Sequence, residues 1–349
     1  MELLNQTLKK IEGLNEGAMQ KTKERIDNLI KPQRSLGKLE DIAIQLSGIT
    51  GKLYPKVDRK AIIVMAADHG VCEEGISAAP QIVTKMMTSY IAKGLSGVCA
   101  LASQARAEVI TVDIGIASQI DDENVINKKV RLGTNNMTKG PAMTKEEAIK
   151  ALEVGIEIAT DAIKNGINLL GTGEMGIGNT TPSTAILAVM GEFDAEEITG
   201  IGANLPKEEL TNKINVIKKA IEVNKPNKKD AIDVLAKIGG LDIAGMAGVM
   251  IAGAANKVAV VVDGYISTAA AIIATAIEPK VKDYLISSHM SNEKGASKAS
   301  EILGLKPMLD MDMRLGEGSG AALAFNIIEA ATFMNEKMIT FQEAGIGVV

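Results

Sequence analysis

Four short apolar runs constrain what this chain can build. They are AIIVMAADHG (61–70), EVITVDIGI (108–116), INLLGTGEMG (167–176) and VAVVVDGYIS (258–267). A strand with one wet face alternates apolar and polar residues. A continuous apolar run suits a strand covered on both faces, as in a parallel sheet. Helical patterns lie between the runs, at 81–102, 144–165, 183–190 and 241–255. Strand and helix in alternation mean an α/β fold with crossover helices.

The two ends of the chain read differently. Residues 1–48 are helical, with segments 19–30 and 39–46 on either side of the loop KPQRSLG (31–37), and 320–338 form another helix. Neither end shows a strand pattern. The expected division is a large α/β domain at 58–304, with a small helical domain from 1–57 plus 305–349. A length of 349 residues suits that arrangement. With 46% apolar residues, 2% aromatics and no Trp, the core must come from Ile, Val, Leu, Met and Ala.

Charge and composition exclude several functions. A net charge of -5 and so few aromatic rings do not suit a nucleic-acid binder. The N-terminus MELLNQTLKKIEGL is amphipathic and carries acids, unlike a signal peptide. No apolar stretch is long enough to span a membrane. Cys72 and Cys99 make no disulfide framework, so a reducing cytoplasm is expected. His69 and His289 are the only histidines, and no Cys pair has zinc spacing, so no metal site is expected. ADHG could hold an ion through Asp68 and His69, but His69 reads better as a hydrogen-bonded turn residue.

Each strand run ends in an acid with a glycine: Asp68 with Gly70, Asp113 with Gly115, Glu174 between Gly173 and Gly176, and Asp263 with Gly264. Open α/β sheets bind ligands at the carboxyl ends of their strands, so these turns are expected to converge on one crevice. Asp113 and Asp263 read as turn-formers or helix caps. Glu174 does not, since Glu is a poor turn-former. Gly171, Gly173 and Gly176 match a dinucleotide fingerprint in outline, yet Glu174 would repel a pyrophosphate. The following NTTP places Thr180 or Thr181 as N-cap and Pro182 at the first helical position. A helix start of that kind can hold a single phosphate. RLGEGSG (314–320) sets Glu317 among three glycines just before a helical run, which is a setting for a functional acid.

ADHGV, GEMGIGNTTP, GIGANLP, GMAGVMIAGA, VVDGYIS, SSHMSNEKGA and MRLGEGSGAALA occur in this order. With them the chain resembles the nicotinate-nucleotide–dimethylbenzimidazole phosphoribosyltransferase family (CobT family) over nearly its whole length. The resemblance implies a Rossmann-like parallel sheet, a homodimer and no cofactor or metal. It also implies transfer of the phosphoribosyl group of nicotinate mononucleotide to a benzimidazole-type base, in assembly of the cobalamin nucleotide loop. Glu317 corresponds to the general base, and Glu174 to a supporting acid. Gly176, Ile177, Gly178, Asn179, Thr180 and Lys213 fall on the phosphate side. Gly202, Asn204, Gly264, Ser291 and Gly320 fall in the rest of the nucleotide site. The base pocket maps to Leu315, Ala79 and Met87. At the last two positions relatives carry a serine and a glutamine, so the lining here is less polar.

Three other readings compete. An NAD-dependent oxidoreductase would rest on the 171–176 glycines alone and lacks a hydride-transfer constellation. A non-catalytic nucleotide sensor would have no need of both Glu317 and Glu174. A paralogue or subunit using adenine or a phenol would keep the same acids.

Overall fold

The computed structural model describes residues 1–346; the last three positions of the 305–349 segment lie outside them. Six parallel strands form one sheet: β1 (Lys60–Ala67), β2 (Ala107–Gly115), β3 (Ile126–Asn127), β4 (Leu169–Met175), β5 (Ala259–Val262) and β6 (Leu285–Ser287). Their order is β3-β2-β1-β4-β5-β6, with every pairing parallel. The chain winds outward from β1, returns to β4 on its other side, and winds out again. This is the Rossmann-like order, with its topological switch point between β1 and β4.

Both faces of the sheet are covered, which is why the strand runs do not alternate. All eight residues of β1 are buried. Met65 of β1 packs toward Gly245 in the helix Leu241–Ala255. Ile62 of the same strand packs toward the start of the helix Ser319–Lys337 on the opposite face.

The helix Leu241–Ala255 is buried on all sides except at its last residue, and it packs against the helix Lys145–Lys164. There the two backbones touch. A Cβ on Gly155 would collide with the Gly245 carbonyl, and one on Gly248 with the Leu152 carbonyl. The glycines of GMAGVMIAGA therefore serve the close approach of two backbones. Thr144 opens the partner helix with a full capping box to Glu147.

Several boundaries differ from expectation. The 81–102 pattern is two helices, Ile82–Ala92 and Gly97–Gln104, because Gly94 turns the chain with a φ of 77°. The NTTP helix begins at Thr180 with Asn179 as N-cap, so Pro182 is third in the helix rather than first. Proline is tolerated there because first-turn N–H groups have no intrahelical partner. The C-terminal segment does contain a strand, Leu309–Asp310 (β8), paired with β7 (His289–Met290). Two-residue strands carry no detectable period, which also hid β3.

The helices Glu16–Asp27 and Lys38–Thr50 pack together and against Ser319–Lys337. Arg25 donates to the carbonyls of Asn335 and Met338, and Leu29 bridges to Thr340. The C-terminal helix thus meets the sheet through Ala321 and Phe325 and meets the N-terminal helices through its far end.

Gly155→Ala and Gly248→Ala should each destabilise the protein by about 1–3 kcal/mol through overpacking. Urea unfolding would read this as a lower midpoint with an unchanged slope. A midpoint equal to that of the parent would contradict the backbone contact.

Candidate functional site

The carboxyl ends of β4 and β5 open into a cavity of about 320 Å³ beside the switch point, with the segment after β1 (76–87) on its wall. That lies at the lower end of volumes that enclose a small ligand. Glu174 and Glu317 both line it, and both are buried. The chain brings them together from 143 residues apart: the Glu317 N–H donates to Glu174 Oε1 at 3.3 Å.

Local backbone sets this contact. Gly316, Glu317 and Gly318 have φ values of 82°, 62° and 99° in succession. For Glu317 the left-handed conformation costs about 1–2 kcal/mol, while for the glycines it is nearly free. The loop lies on β4 so closely that a Cβ on Gly173 would collide with the Glu317 carbonyl. Glu317 Oε2 accepts the Val98 N–H at 3.1 Å, at the start of the helix Gly97–Gln104. Oε1 receives no hydrogen bond from the described residues.

Glu174 Oε2 accepts from Asn179 Nδ2. Burial, then the charges of Asp242 and Asp263, push the Glu174 carboxyl up from the usual 4.5 to about 8. Glu174 therefore holds a proton at neutral pH in the ligand-free protein. Asp263 is a remote helix cap. Its carboxylate accepts N–H groups of Gly318, Gly320 and Ala321, at 3.3, 2.7 and 3.0 Å, from the start of the helix Ser319–Lys337. Asp113 accepts the N–H groups of Gly115 and Ile116 and pairs with Lys129, so it is structural. Asp68 accepts the Ala117 N–H. His69 is buried against Asp242 at 3.2 Å.

Gly176, Ile177, Gly178, Asn179, Thr180, Gly202, Gly264, Ser291, Ala79, Met87 and Leu315 also line the cavity. Three expected residues do not. Lys213 is buried one layer back, with Nζ 2.7 Å from Thr180 Oγ1. Burial lowers its amine to about 8, opposed by the nearby Glu293. Asn204 is exposed and accepts from Arg314 at 2.8 Å. Gly320 corrects an expectation: its N–H is spent on Asp263, and a Cβ there would collide with His289. It makes room for the histidine and has no N–H to offer an anion.

Arg314, Tyr265, Glu293 and His289 line the cavity and were not assigned a role from sequence. Arg314 sits two residues before the glycine–glutamate–glycine turn, and its guanidinium donates to the Gly202 carbonyl. His289 and Glu293 lie in SSHMSNEKGA, on either side of Ser291.

A family model described as phosphoribosyltransferase matches residues 11–346. The nicotinate-nucleotide–dimethylbenzimidazole phosphoribosyltransferase of Alkaliphilus metalliredigens is 60% identical over 349 residues, covering 100% of both chains. This chain belongs to that phosphoribosyltransferase family. A Clostridioides difficile protein of the same description is 51% identical over 347 residues, or 99% of this chain and 100% of its own. The crystal structure of the Thermus thermophilus nicotinate-nucleotide–dimethylbenzimidazole phosphoribosyltransferase superposes with a TM-score of 0.91 at 38% identity, covering 96% of this chain and 100% of that one. The family's fold is thus carried over 96% of this chain, and no described helix is long and apolar enough to cross a membrane.

The raised Glu174 carboxyl has a consequence for stability in this phosphoribosyltransferase. The folded state binds its proton more tightly than the unfolded state, so stability falls as pH rises from about 4.5 toward 8. Glu174→Gln should therefore stabilise the ligand-free protein by more than about 1 kcal/mol at pH 8.5, and by little at pH 5. Thermal melts at the two pH values would show the difference, and an equal effect at both would refute the buried neutral acid.

Proposed function

We propose that this protein transfers the 5-phosphoribosyl group of nicotinate mononucleotide to 5,6-dimethylbenzimidazole or a related base, releasing nicotinate. The product is α-ribazole 5'-phosphate, for cobalamin nucleotide-loop assembly. The observation that carries this reading is the meeting of Glu317 and Glu174 at the switch-point cavity.

Nicotinate in the nucleotide is a pyridinium. When the C1'–N bond breaks, its electron pair returns to the ring nitrogen, so the leaving group needs no proton. One nitrogen of the incoming base forms the new bond to C1', and the N–H on its other nitrogen becomes acidic. Glu317 Oε1, free of internal partners, accepts that proton, a contribution of roughly 10²–10⁴-fold. Attack from the opposite face inverts C1' and gives the α-product. Positive charge grows on the ribose among buried acids: Glu317, Glu174 and Asp263.

Lys213, Thr180 and the start of the helix Thr180–Gly191 are assigned to the phosphate. A dianion at Thr180 would restore full charge to the Lys213 amine behind it. The base side is apolar, with Ala79, Val83, Met87 and Leu315 on the cavity wall, which favours a benzimidazole over a base with exocyclic polar groups. The large domain at 58–304 supplies most of these groups, and the segment 305–349 supplies Glu317.

A homodimer is supported by the helix Ile82–Ala92, which borders the base side. Ile82, Met86 and Tyr90 stand exposed at four-residue intervals, with Leu95 just beyond at 70% exposure. Met86→Glu combined with Tyr90→Glu should shift the protein to monomer in light scattering after size exclusion. A parent protein that is itself monomeric would end this part of the reading.

Glu317→Gln should keep nicotinate mononucleotide binding and lose about 10²–10⁴-fold in nicotinate release when a benzimidazole is the acceptor. Normal turnover would remove Glu317 as base. In competition, benzimidazole and 5,6-dimethylbenzimidazole should both outpace adenine. Preference for adenine would overturn the apolar-pocket reading while leaving ribosyl transfer intact.

A further inference from the structure

From Glu174 and Asn179 on the cavity wall a polar chain runs down to Asp242 and His69, which do not line the cavity. Asn179 Nδ2 donates to Glu174 Oε2 and also approaches Asp242 Oδ2 at 3.2 Å. His69 Nε2 meets the same Asp242 oxygen at 3.2 Å, and Asp242 Oδ1 accepts the Ile243 N–H at 2.9 Å. Asp242 and His69 are both essentially sealed from water. The two carboxylates thus share one amide nitrogen in a place where two negative charges are costly.

His69 breaks the symmetry of the pair because it touches Asp242 and not Glu174. The position is also specified by packing: a Cβ on Gly176 would crowd His69 and Asp242, and one on Gly240 would collide with the His69 ring. A histidine cation at that point stabilises charge on Asp242. The proton of the pair is left to Glu174.

We propose that Asp242, fixed by His69, is a positioning residue for Glu174: it keeps one proton on the Glu174 carboxyl of the empty site, and that proton departs to solvent when the cationic nucleotide binds. The proposal rests on Glu174 facing the nucleotide. Every ionisable neighbour fits. Glu174 is faced by Asp242 from the helix Leu241–Ala255, by Asp263 from the end of β5, and by Glu317 from the 316–318 turn; beyond Asp242 lies His69, with Asp68 behind it. Burial disfavours the His69 cation, but the charge and hydrogen bond of Asp242, with the charge of Asp68 behind, outweigh it and lift the imidazole above its usual range. The pyridinium adds a positive charge to this set and tips Glu174 to the carboxylate. Glu174 then carries its charge only when a nucleotide is there to use it, and the empty site avoids a second unpaired buried anion.

The test is proton release on binding of nicotinate mononucleotide, measured by calorimetry in buffers of different ionisation enthalpy from pH 6 to 9. Glu174→Gln serves as the baseline, which removes contributions from the ligand phosphate and Lys213. Wild type should release about one proton more than Glu174→Gln near pH 7. Asp242→Asn removes the negative neighbour, so its release should fall by about half at pH 7, with the profile moved down by roughly one pH unit. His69→Gln removes the cation, so its profile should move up. Opposite shifts are a signature that a merely structural role would not produce. Asp242→Asn and His69→Gln profiles that coincide with wild type, or that move the same way, would overturn the proposal. Should Asp242→Asn fail to fold, an unmoved His69→Gln profile overturns it alone. Equal release from Glu174→Gln and wild type would instead overturn the placement of Glu174 at the nucleotide.

Discussion

The turn at 316–318 seats on the end of β4, and the site depends on that seating. Gly173 leaves just enough room for the Glu317 carbonyl, and the Glu317 N–H closes the contact on Glu174. Three successive left-handed residues are needed to bring the chain in flat. Two glycines bear most of the conformational demand, and the strain is confined to Glu317, whose side chain lines the cavity. Asp263 then fixes the helix that leaves the turn by accepting three of its first N–H groups. Strand β4, strand β5 and the C-terminal helix are thereby tied at one point.

The same point concentrates negative charge. Glu174, Asp242, Asp263 and Glu317 are all buried around it, with His69 against Asp242 and His289 near Asp263 as buried basic groups. Such an excess is unfavourable in an empty protein and favourable around a cationic ring or a ribosyl cation. The structure limits the unfavourable part by assigning hydrogen bonds to individual oxygens: backbone N–H groups for Asp263, an amide and an N–H for Glu174, a helix start for Glu317. Stability is given up here for complementarity to a charge that arrives with the substrate.

Much of this was legible in the sequence because glycine placement is informative. The four uninterrupted runs are four of the strands, since burial on both faces removes alternation, and the glycines flanking Glu317 and Glu174 mark the two acids that meet. Other features left no local trace. Asp242 follows GGL and precedes an apolar helix, so it reads as an ordinary first-turn acid, and it does accept a first-turn N–H. Its second role depends on residues 63 and 173 positions away in the chain. The resemblance puts Gly320 in the nucleotide site, while its N–H is taken up by Asp263, a partner 57 residues away that leaves no local trace. The helix 81–102 was expected whole because Gly94 falls in an otherwise helical pattern. β3, β7 and β8 are too short to have a period.

The C-terminal helix is 19 residues long, or nearly 30 Å at the usual rise. One end carries the turn that holds Glu317. The other end is gripped by Arg25, Leu53 and the strand bridge between Leu29 and Thr340. It is a single rod linking the carboxylate to the place where the helix Glu16–Asp27 and the segment after Lys337 meet. Displacement at that meeting place has a rigid route to the Glu317 carboxylate, so the helices gathered there serve as the abutment against which Glu317 is held.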